Sequence, residues 1–316
     1  SSLVTGAEED MRIDRELALV EEMLIAAVQS DVGLLSRTGT RILRAGGKRL
    51  RPKVVLYAYA AAGGQEMSSA VPVAAAVELL HTASLVHDDI NDQSDTRRGQ
   101  PSVNAELGTS LALLMGDYIF VRFLNLMADF DRRLIRILAR SCNEIVEGET
   151  LQMLRLGDLT MDEKSYLTII TQKTASLFVA CAEAGGLLAG APQTQIEALR
   201  RYGVNLGIAF QVRDDTLDLM GDSEVLGKPV ASDLAQGKMS LATIYAIRVS
   251  DKARSALASD IKYARDVLHE TGALDYAMQK AREYAEEAKR ALLALPDSEA
   301  RLCLGELADL AVVRHR

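Results

Sequence analysis

The sequence predicts an all-α protein: a single large bundle of ten or more helices around a central cavity, in one domain over residues 1–316. Three observations predict it. Apolar residues recur at helical spacing from end to end, and no run of alternating strand residues breaks the series. The 6 prolines, at 52, 72, 101, 192, 229 and 296, read as punctuation between long helices. Hydrophobic residues make up 48% of the chain but aromatic ones only 4%, with no Trp, so the core is built from Leu, Ala, Val, Ile and Met.

The first helix is expected over 8–30, with Leu17, Val20, Leu24 and Val28 as its apolar stripe. Others follow near 33–44, 49–62, 69–93, 107–128, 132–156, 162–172, 174–190, 194–218, 240–250, 252–271, 274–294 and 297–313. Glycine pairs at 46–47, 63–64 and 185–186 mark helix ends or close approaches. The helix at 69–93 is unusual. Its stretch AVPVAAAVELLHTASLVH (70–87) is nearly uncharged, so it is apolar almost all round and belongs in the interior. Yet it ends in acids, where the helix dipole disfavours negative charge.

Those acids are Asp88, Asp89 and Asp92, and the same DDxxD spacing returns at Asp214, Asp215 and Asp218. Residues i and i+4 share a helical face, so each cluster stacks like charges at a cost of a few tenths of a kcal/mol. Two such clusters call for a cation. Hard oxygen donors without His or Cys point to Mg²⁺, which takes one or two carboxylates and completes its shell with water and phosphate oxygens. A Mg²⁺-bridged diphosphate, with both clusters facing one cavity, is the first functional expectation.

Composition excludes several classes. The formal charge of −8 argues against nucleic acid as a partner. No run of 18 uninterrupted apolar residues predicts a membrane span, and the amino end is polar and acidic rather than signal-like. Cys142, Cys181 and Cys303 lie in apolar helical contexts and read as buried thiols of a reducing cytoplasm.

A diphosphate also needs cations. Between Asp31 and Glu66 there is no acid, while Arg37, Arg41, Arg44, Lys48, Arg49, Arg51 and Lys53 crowd together. The loop Gly46-Gly47-Lys48-Arg49-Leu50-Arg51-Pro52 enters a helix, a place that favours anions, although a solvated basic face is the commoner explanation of such a run. Arg97-Arg98 follow the first acid cluster, Lys228 and Lys238 the second, and Lys173-Thr174 interrupt an apolar helix. His81 stands two turns before Asp88 on the interior helix. Either it is a satisfied core histidine or it serves the site.

Together these residues resemble the trans-isoprenyl diphosphate synthases, the polyprenyl synthetase family. The matching segments run in the family's order: GGKRLRP (46–52), HTASLVHDDINDQSDTRRGQPSVN (81–104), GDYIF (116–120), EGETLQM (147–153), KTASLF (173–178), FQVRDDTLDLMGD (210–222) and LGKPVASDLAQGK (226–238). EGETLQM and the uninterrupted first DDxxD look most like the long-chain, quinone-tail members. The resemblance implies an isoprenoid-synthase-like fold, a homodimer, and condensation of an allylic diphosphate with isopentenyl diphosphate. It implies three Mg²⁺ ions on Asp88, Asp92 and Asp214, with Asp89, Asp215 and Asp218 acting indirectly. Lys48, Arg51, His81 and Arg98 match the isopentenyl diphosphate site. Arg97, Lys173, Lys238 and Lys228 match the allylic diphosphate site, and Thr174 and Gln211 the oxygen dipoles beside the developing cation. Two positions depart from the family pattern. Arg213 stands where an aliphatic residue is usual, and Ala242 replaces a frequent Pro.

The growing product needs an apolar tunnel back along the 69–93 helix. The face above Asp88 reads Ser84, Leu80 and Val77, with Ala83 beside it, and none is Phe or Tyr. A floor open for several turns at ~5.4 Å each implies a product of roughly thirty to fifty carbons. Closure near Met115 or Phe123, and hence a short-chain product, is the alternative. A terpene cyclase would lack the second DDxxD, an HD-type phosphohydrolase would need more histidines, and a silent subunit of a heteromeric synthase would lose motif acids. The greasy product implies transient membrane contact, and the 107–128 helix is the expected dimer face.

Overall fold

The computed structural model describes residues 5–220 and 232–313. It is all-α apart from one small hairpin, and its backbone contacts gather into two compact units. The first holds Ser1–Ala139, Ala180–Arg200 and Leu292–Leu304, and the second holds Arg140–Val179, Arg201–Ala291 and Gly305–Arg316.

In the first unit, α1 (Thr5–Ala27) buries Ile13, Val20 and Leu24 on its stripe, and α2 spans Gly33–Arg44. Helix α3 (Leu50–Ala61) starts with Pro52 in its first turn, where the missing N–H costs nothing, and buries Val54, Val55, Leu56 and Ala58 completely. Helix α4 (Val71–Asn91) is the interior helix anticipated from its composition, entered through a 3₁₀ turn at Met67–Ala70. The next helices are α5 (Val103–Leu107) and α6 (Thr109–Met127), whereas α7 (Arg132–Leu154) has residues in both units. Gly185, on α9 (Ser176–Leu188), marks a close approach: an added Cβ would lie 2.6 Å from the Val55 carbonyl oxygen.

The second unit packs an alanine-rich core. Tyr166 and Ile170 of α8 (Glu163–Ile170) and Val212 of α10 (Gln193–Met220) join Ala246, Ala256, Ala264 and Ala277 from the later helices. A short helix, α11 (Ser232–Ala235), precedes α12 (Leu241–Val249). Ala242 needs no proline to start α12, because Ser240 and Thr243 close a capping box. The last helices are α13 (Asp251–Ser259), α14 (Ile261–Glu270), α15 (Ala273–Ala291) and α16 (Glu299–Leu310).

Four local features differ from expectation. Thr96–Arg97 and Gln100–Pro101 form an antiparallel hairpin, β1 and β2, closed by Arg98 (φ 52°) and Gly99 (φ 72°). Positive φ at both positions matches a two-residue turn of the I′ kind. The expected break near residue 173 is instead a π-helical turn, Thr171–Ala175, carrying the chain from α8 into α9. The expected helix 252–271 is two, because extended Asp260 (φ −148°) caps α14 with its carboxylate. Finally, two helical stretches are long and apolar enough to cross a membrane by length and composition, although neither is an uninterrupted apolar run. Met67–Asn91 is 72% buried and is a core helix, whereas Thr109–Met127 is 28% buried and exposes Leu111, Leu113, Leu114, Val121 and Leu124. The three cysteines are free thiols; Cys181 is buried as expected, whereas Cys142 and Cys303 are partly exposed, contrary to expectation.

Candidate active site

The first acid cluster closes α4. Asp88 and Asp92 are half-buried and Asp89 is buried. Asp92 is the C-cap, and the helix ends in a Schellman arrangement: Ser94 N–H donates to the Asp89 carbonyl (2.9 Å) and Gln93 N–H to that of Ile90 (3.2 Å). That arrangement requires a left-handed residue, supplied here by Gln93 (φ 51°) rather than glycine. The turn sends the chain straight into the hairpin, so Arg97 folds back on α4. Its Nε and Nη2 donate to Asp89 Oδ2 (3.1 Å) and Oδ1 (2.6 Å). Burial lifts the Asp89 pKa, opposed by Arg97, so this carboxylate is committed to the guanidinium. Arg97, expected to face a diphosphate directly, thus first serves as a clamp on the acid motif.

Arg98, at the hairpin tip, lies over the loop before α3. A Cβ on Gly47 would sit 2.5 Å from Arg98 Nη2, so the guanidinium rests directly on this glycine. The loop is bent by two left-handed residues, Gly46 (φ 69°) and Arg49 (φ 52°). Arg49 is its anchor. It donates to Glu78 Oε1 (2.9 Å), to the Leu43 carbonyl (2.7 Å) and to both oxygens of Glu21. Burial works against this charge, but Glu21 and Glu78 outweigh it. Lys48 projects from the loop and is exposed, while Arg51 is buried with its Nη1 3.2 Å from His81 Nε2. Since Arg51 can only donate, Nε2 accepts and His81 carries its proton on Nδ1. Burial, followed by the fields of Arg51, Arg98, Arg97 and Arg49, holds its pKa well below the ordinary value. The structure therefore gathers Arg51, His81, Arg98 and the 46–49 loop into one strongly positive corner.

Beneath this corner, Val77, Leu80 and Ala83 are buried, and Ser84 donates to the His81 carbonyl (2.6 Å). Met115 and Phe123 of α6 are fully buried in the same unit.

In the second unit, Thr174 Oγ1 donates to Gln211 Oε1 (2.9 Å), and Gln211 Nε2 donates to Asp215 Oδ1 (2.8 Å). Tyr166 closes the chain, its hydroxyl donating to Asp215 Oδ2 at 2.5 Å. Burial first, then the field of Asp233, pushes the Asp215 pKa up to about 7. Asp218 is fully buried and accepts the Asp233 N–H (3.2 Å). Asp214 is half-exposed, with Arg213 donating to its Oδ1 at 2.8 Å. Lys173, on the π turn, pairs with Glu149 (2.6 Å) and donates to Gln152 (2.8 Å). Gly148 permits this turn: an added Cβ would lie 2.4 Å from the Lys173 nitrogen. π-helical turns often occur at functional sites. Lys238 is half-buried, and Lys228 lies outside the described residues.

Sequence reasoning missed Tyr166, Glu21 and Glu78, and it held Glu149 and Gln152 only as members of the segment EGETLQM (147–153), with no role assigned. A usable signal existed for Tyr166 alone, a phenol on a buried aliphatic helix that must find a hydrogen-bond partner. The acid set fits a hard divalent cation. Among the described residues no three acids, histidines or cysteines form a cage by themselves.

Comparison with known proteins agrees. The family model described as Polyprenyl synthetase matches residues 32–280. The chain is 37% identical over 313 residues to the octaprenyl diphosphate synthase of Haemophilus influenzae, covering 96% of this chain and 95% of that one. It is 38% identical over 295 residues to the short chain isoprenyl diphosphate synthase of Methanothermobacter thermautotrophicus, covering 89% and 90%. Among solved structures, a polyprenyl synthase from Caulobacter crescentus, complexed with calcium and isoprenyl diphosphate, matches with a TM-score of 0.91 at 39% identity, covering 95% of each chain.

Proposed function

The chain belongs to the polyprenyl synthetase family, and on that premise we propose that it is a prenyltransferase joining an allylic diphosphate to successive isopentenyl diphosphates. The observation that carries this is the positive corner around His81. In a chain of charge −8, Arg51 stands 3.2 Å from one imidazole and Arg98, Arg97 and Arg49 add their fields to the burial that already lowers its pKa, and such a gathering of cations calls for an anion.

We assign Lys48, Arg51, His81 and Arg98 to the diphosphate of isopentenyl diphosphate. The neutral His81 adds no proton of its own to a phosphate through Nε2; it orients Arg51, whose fork suits bidentate contact. Arg97, Lys173, Lys238 and Lys228 are assigned to the allylic diphosphate. Lys173 exchanges Glu149 for phosphate oxygens when the substrate enters. Asp88, Asp92 and Asp214 are the carboxylates that would hold three Mg²⁺ ions, with Asp89, Asp215 and Asp218 fixed by neighbours so as to orient them. Bound Mg²⁺ would neutralise the diphosphate as it leaves. Thr174 and Gln211 present oxygen lone pairs to the allylic cation, because the Thr174 hydroxyl proton and one Gln211 N–H are spent within the Tyr166–Asp215–Gln211–Thr174 chain. The isopentenyl double bond attacks that cation, and the departing pyrophosphate accepts the final proton.

We take residues 1–316 as one synthase domain, a reading supported by a family match that runs through both compact units. We further propose a cytoplasmic homodimer joined through the exposed apolar face of α6, with only transient membrane contact. The absence of Phe and Tyr at Val77, Leu80, Ala83 and Ser84 supports a product of roughly thirty to fifty carbons, at ~5.4 Å per open turn. Similarity to a short-chain synthase at 38% identity keeps the shorter product as the second reading. The test is an incubation of allylic primer and isopentenyl diphosphate with Mg²⁺ or with EDTA, followed by chain-length analysis. We expect Mg²⁺-dependent turnover by this chain alone; none would reject the activity, and a product stopping at about twenty carbons or fewer would reject the open floor along α4.

A further inference from the structure

Arg213 stands directly before the second acid pair, and its surroundings give it a job. All of its edges are used. Nη1 donates to the carbonyls of Leu310 (3.3 Å) and Val313 (3.4 Å), Nε and Nη2 donate to Asp214 Oδ1 (3.2 and 2.8 Å), and its flat face lies over Phe210 (5.1 Å to the ring centre). The side chain is buried, whereas that of Asp214 is 41% exposed. Leu310 is the last residue of α16, whose final carbonyls have no partners within the helix and form the negative end of its dipole. One guanidinium therefore caps α16 and holds a carboxylate on α10. Lysine, a single point charge on a flexible stem, has no planar fork to reach all of these acceptors at once.

Resting on the functional reading above, we propose that Arg213 is a positioning residue for the reaction. It fixes the side chain of Asp214 against the end of α16, and its charge tempers the hold of Asp214 on a divalent ion. The two effects have opposite signs and are separable. Loss of orientation slows turnover, since a misplacement of about 1 Å can cost up to about a hundredfold. Loss of the neighbouring positive charge strengthens metal binding, because a cation competes with Mg²⁺ for the same carboxylate.

The experiment compares the unaltered chain with R213M and R213K. Steady-state turnover is measured at saturating substrates and Mg²⁺. Calorimetry measures Mg²⁺-dependent binding of inorganic pyrophosphate. R213M is expected to lower kcat about tenfold, with KM for the allylic diphosphate within about twofold, and to reduce the Mg²⁺ midpoint for pyrophosphate binding about fivefold. R213K keeps the charge without the fork, so it is expected to lower kcat similarly while leaving the midpoint unchanged. Parental kcat in R213K overturns the positioning role, and a parental Mg²⁺ midpoint in R213M overturns the tempering role. Should R213M fail to fold, R213K with the milder F210L, which removes only the ring beneath the guanidinium, carries the kcat test. Absence of Mg²⁺-dependent pyrophosphate binding in the unaltered chain would instead reject the functional reading itself.

Discussion

Arg49→Met cuts the anchor of the loop that bears Lys48 and Arg51, and its cost can be built from the contacts. Glu78 is 3% exposed and loses its charge partner; leaving one member of a buried pair costs about 3–5 kcal/mol. The Leu43 carbonyl loses a donor at 2.7 Å, about 1 kcal/mol. Glu21 is 43% exposed and rehydrates, so its share is about 0–1 kcal/mol. Methionine retains the length of the stem and leaves little void. The total is about 4–7 kcal/mol, a fall of roughly 8–28 °C in Tm at ~2–4 °C per kcal/mol for a large domain. Thermal unfolding followed by circular dichroism reads it. The paired change Arg49→Met with Glu78→Met should recover most of the loss, because the buried charge is removed along with its partner. A single variant within about 1 kcal/mol of the parent, or a double variant no more stable than the single, would refute the reasoning. The single variant should also raise KM for isopentenyl diphosphate, since the left-handed Arg49 then loses what holds it.

Tyr166→Phe removes the hydroxyl donor to Asp215 at 2.5 Å; kcat should fall about tenfold with KM little changed, and unaltered kcat would show that Gln211 alone orients this carboxylate. His81 has its pKa held below the ordinary 6.5, first by burial and then by the surrounding arginines. The unfolded chain takes up this proton near 6.5 before the folded one does, so stability is present above that value and is lost as pH falls below it. Comparing Tm of the parent with His81→Gln from about pH 8 to about pH 5.5 should show a penalty in the parent that grows with acidity; parallel curves would contradict it. Ala83→Phe, placed in the buried face of α4, should shorten the product, and an unchanged product would put the tunnel elsewhere.

Helices were legible in the sequence because they are local. The acids of α4 and α10, the loop Gly46–Pro52 and the interior character of residues 70–87 all follow from spacing of about four residues or fewer. The hairpin was not legible: its strands are two residues long, too short for alternation, and Arg98-Gly99 lacks the Asn-Gly or Asp-Gly signature of its turn. Nor was the π turn, whose one extra residue leaves no mark in hydrophobic spacing and shows only where Gly148 meets the Lys173 backbone. By itself, then, the sequence determined which charges exist and on which helices they ride. Tertiary structure alone decided whom several of those charges answer to: Asp89 to Arg97, Asp215 to Tyr166 and Lys173 to Glu149. The physical reason is that Coulomb and hydrogen-bond energies depend on separation in space and on burial. These partners are chosen by the packing of segments eight to forty-nine residues apart.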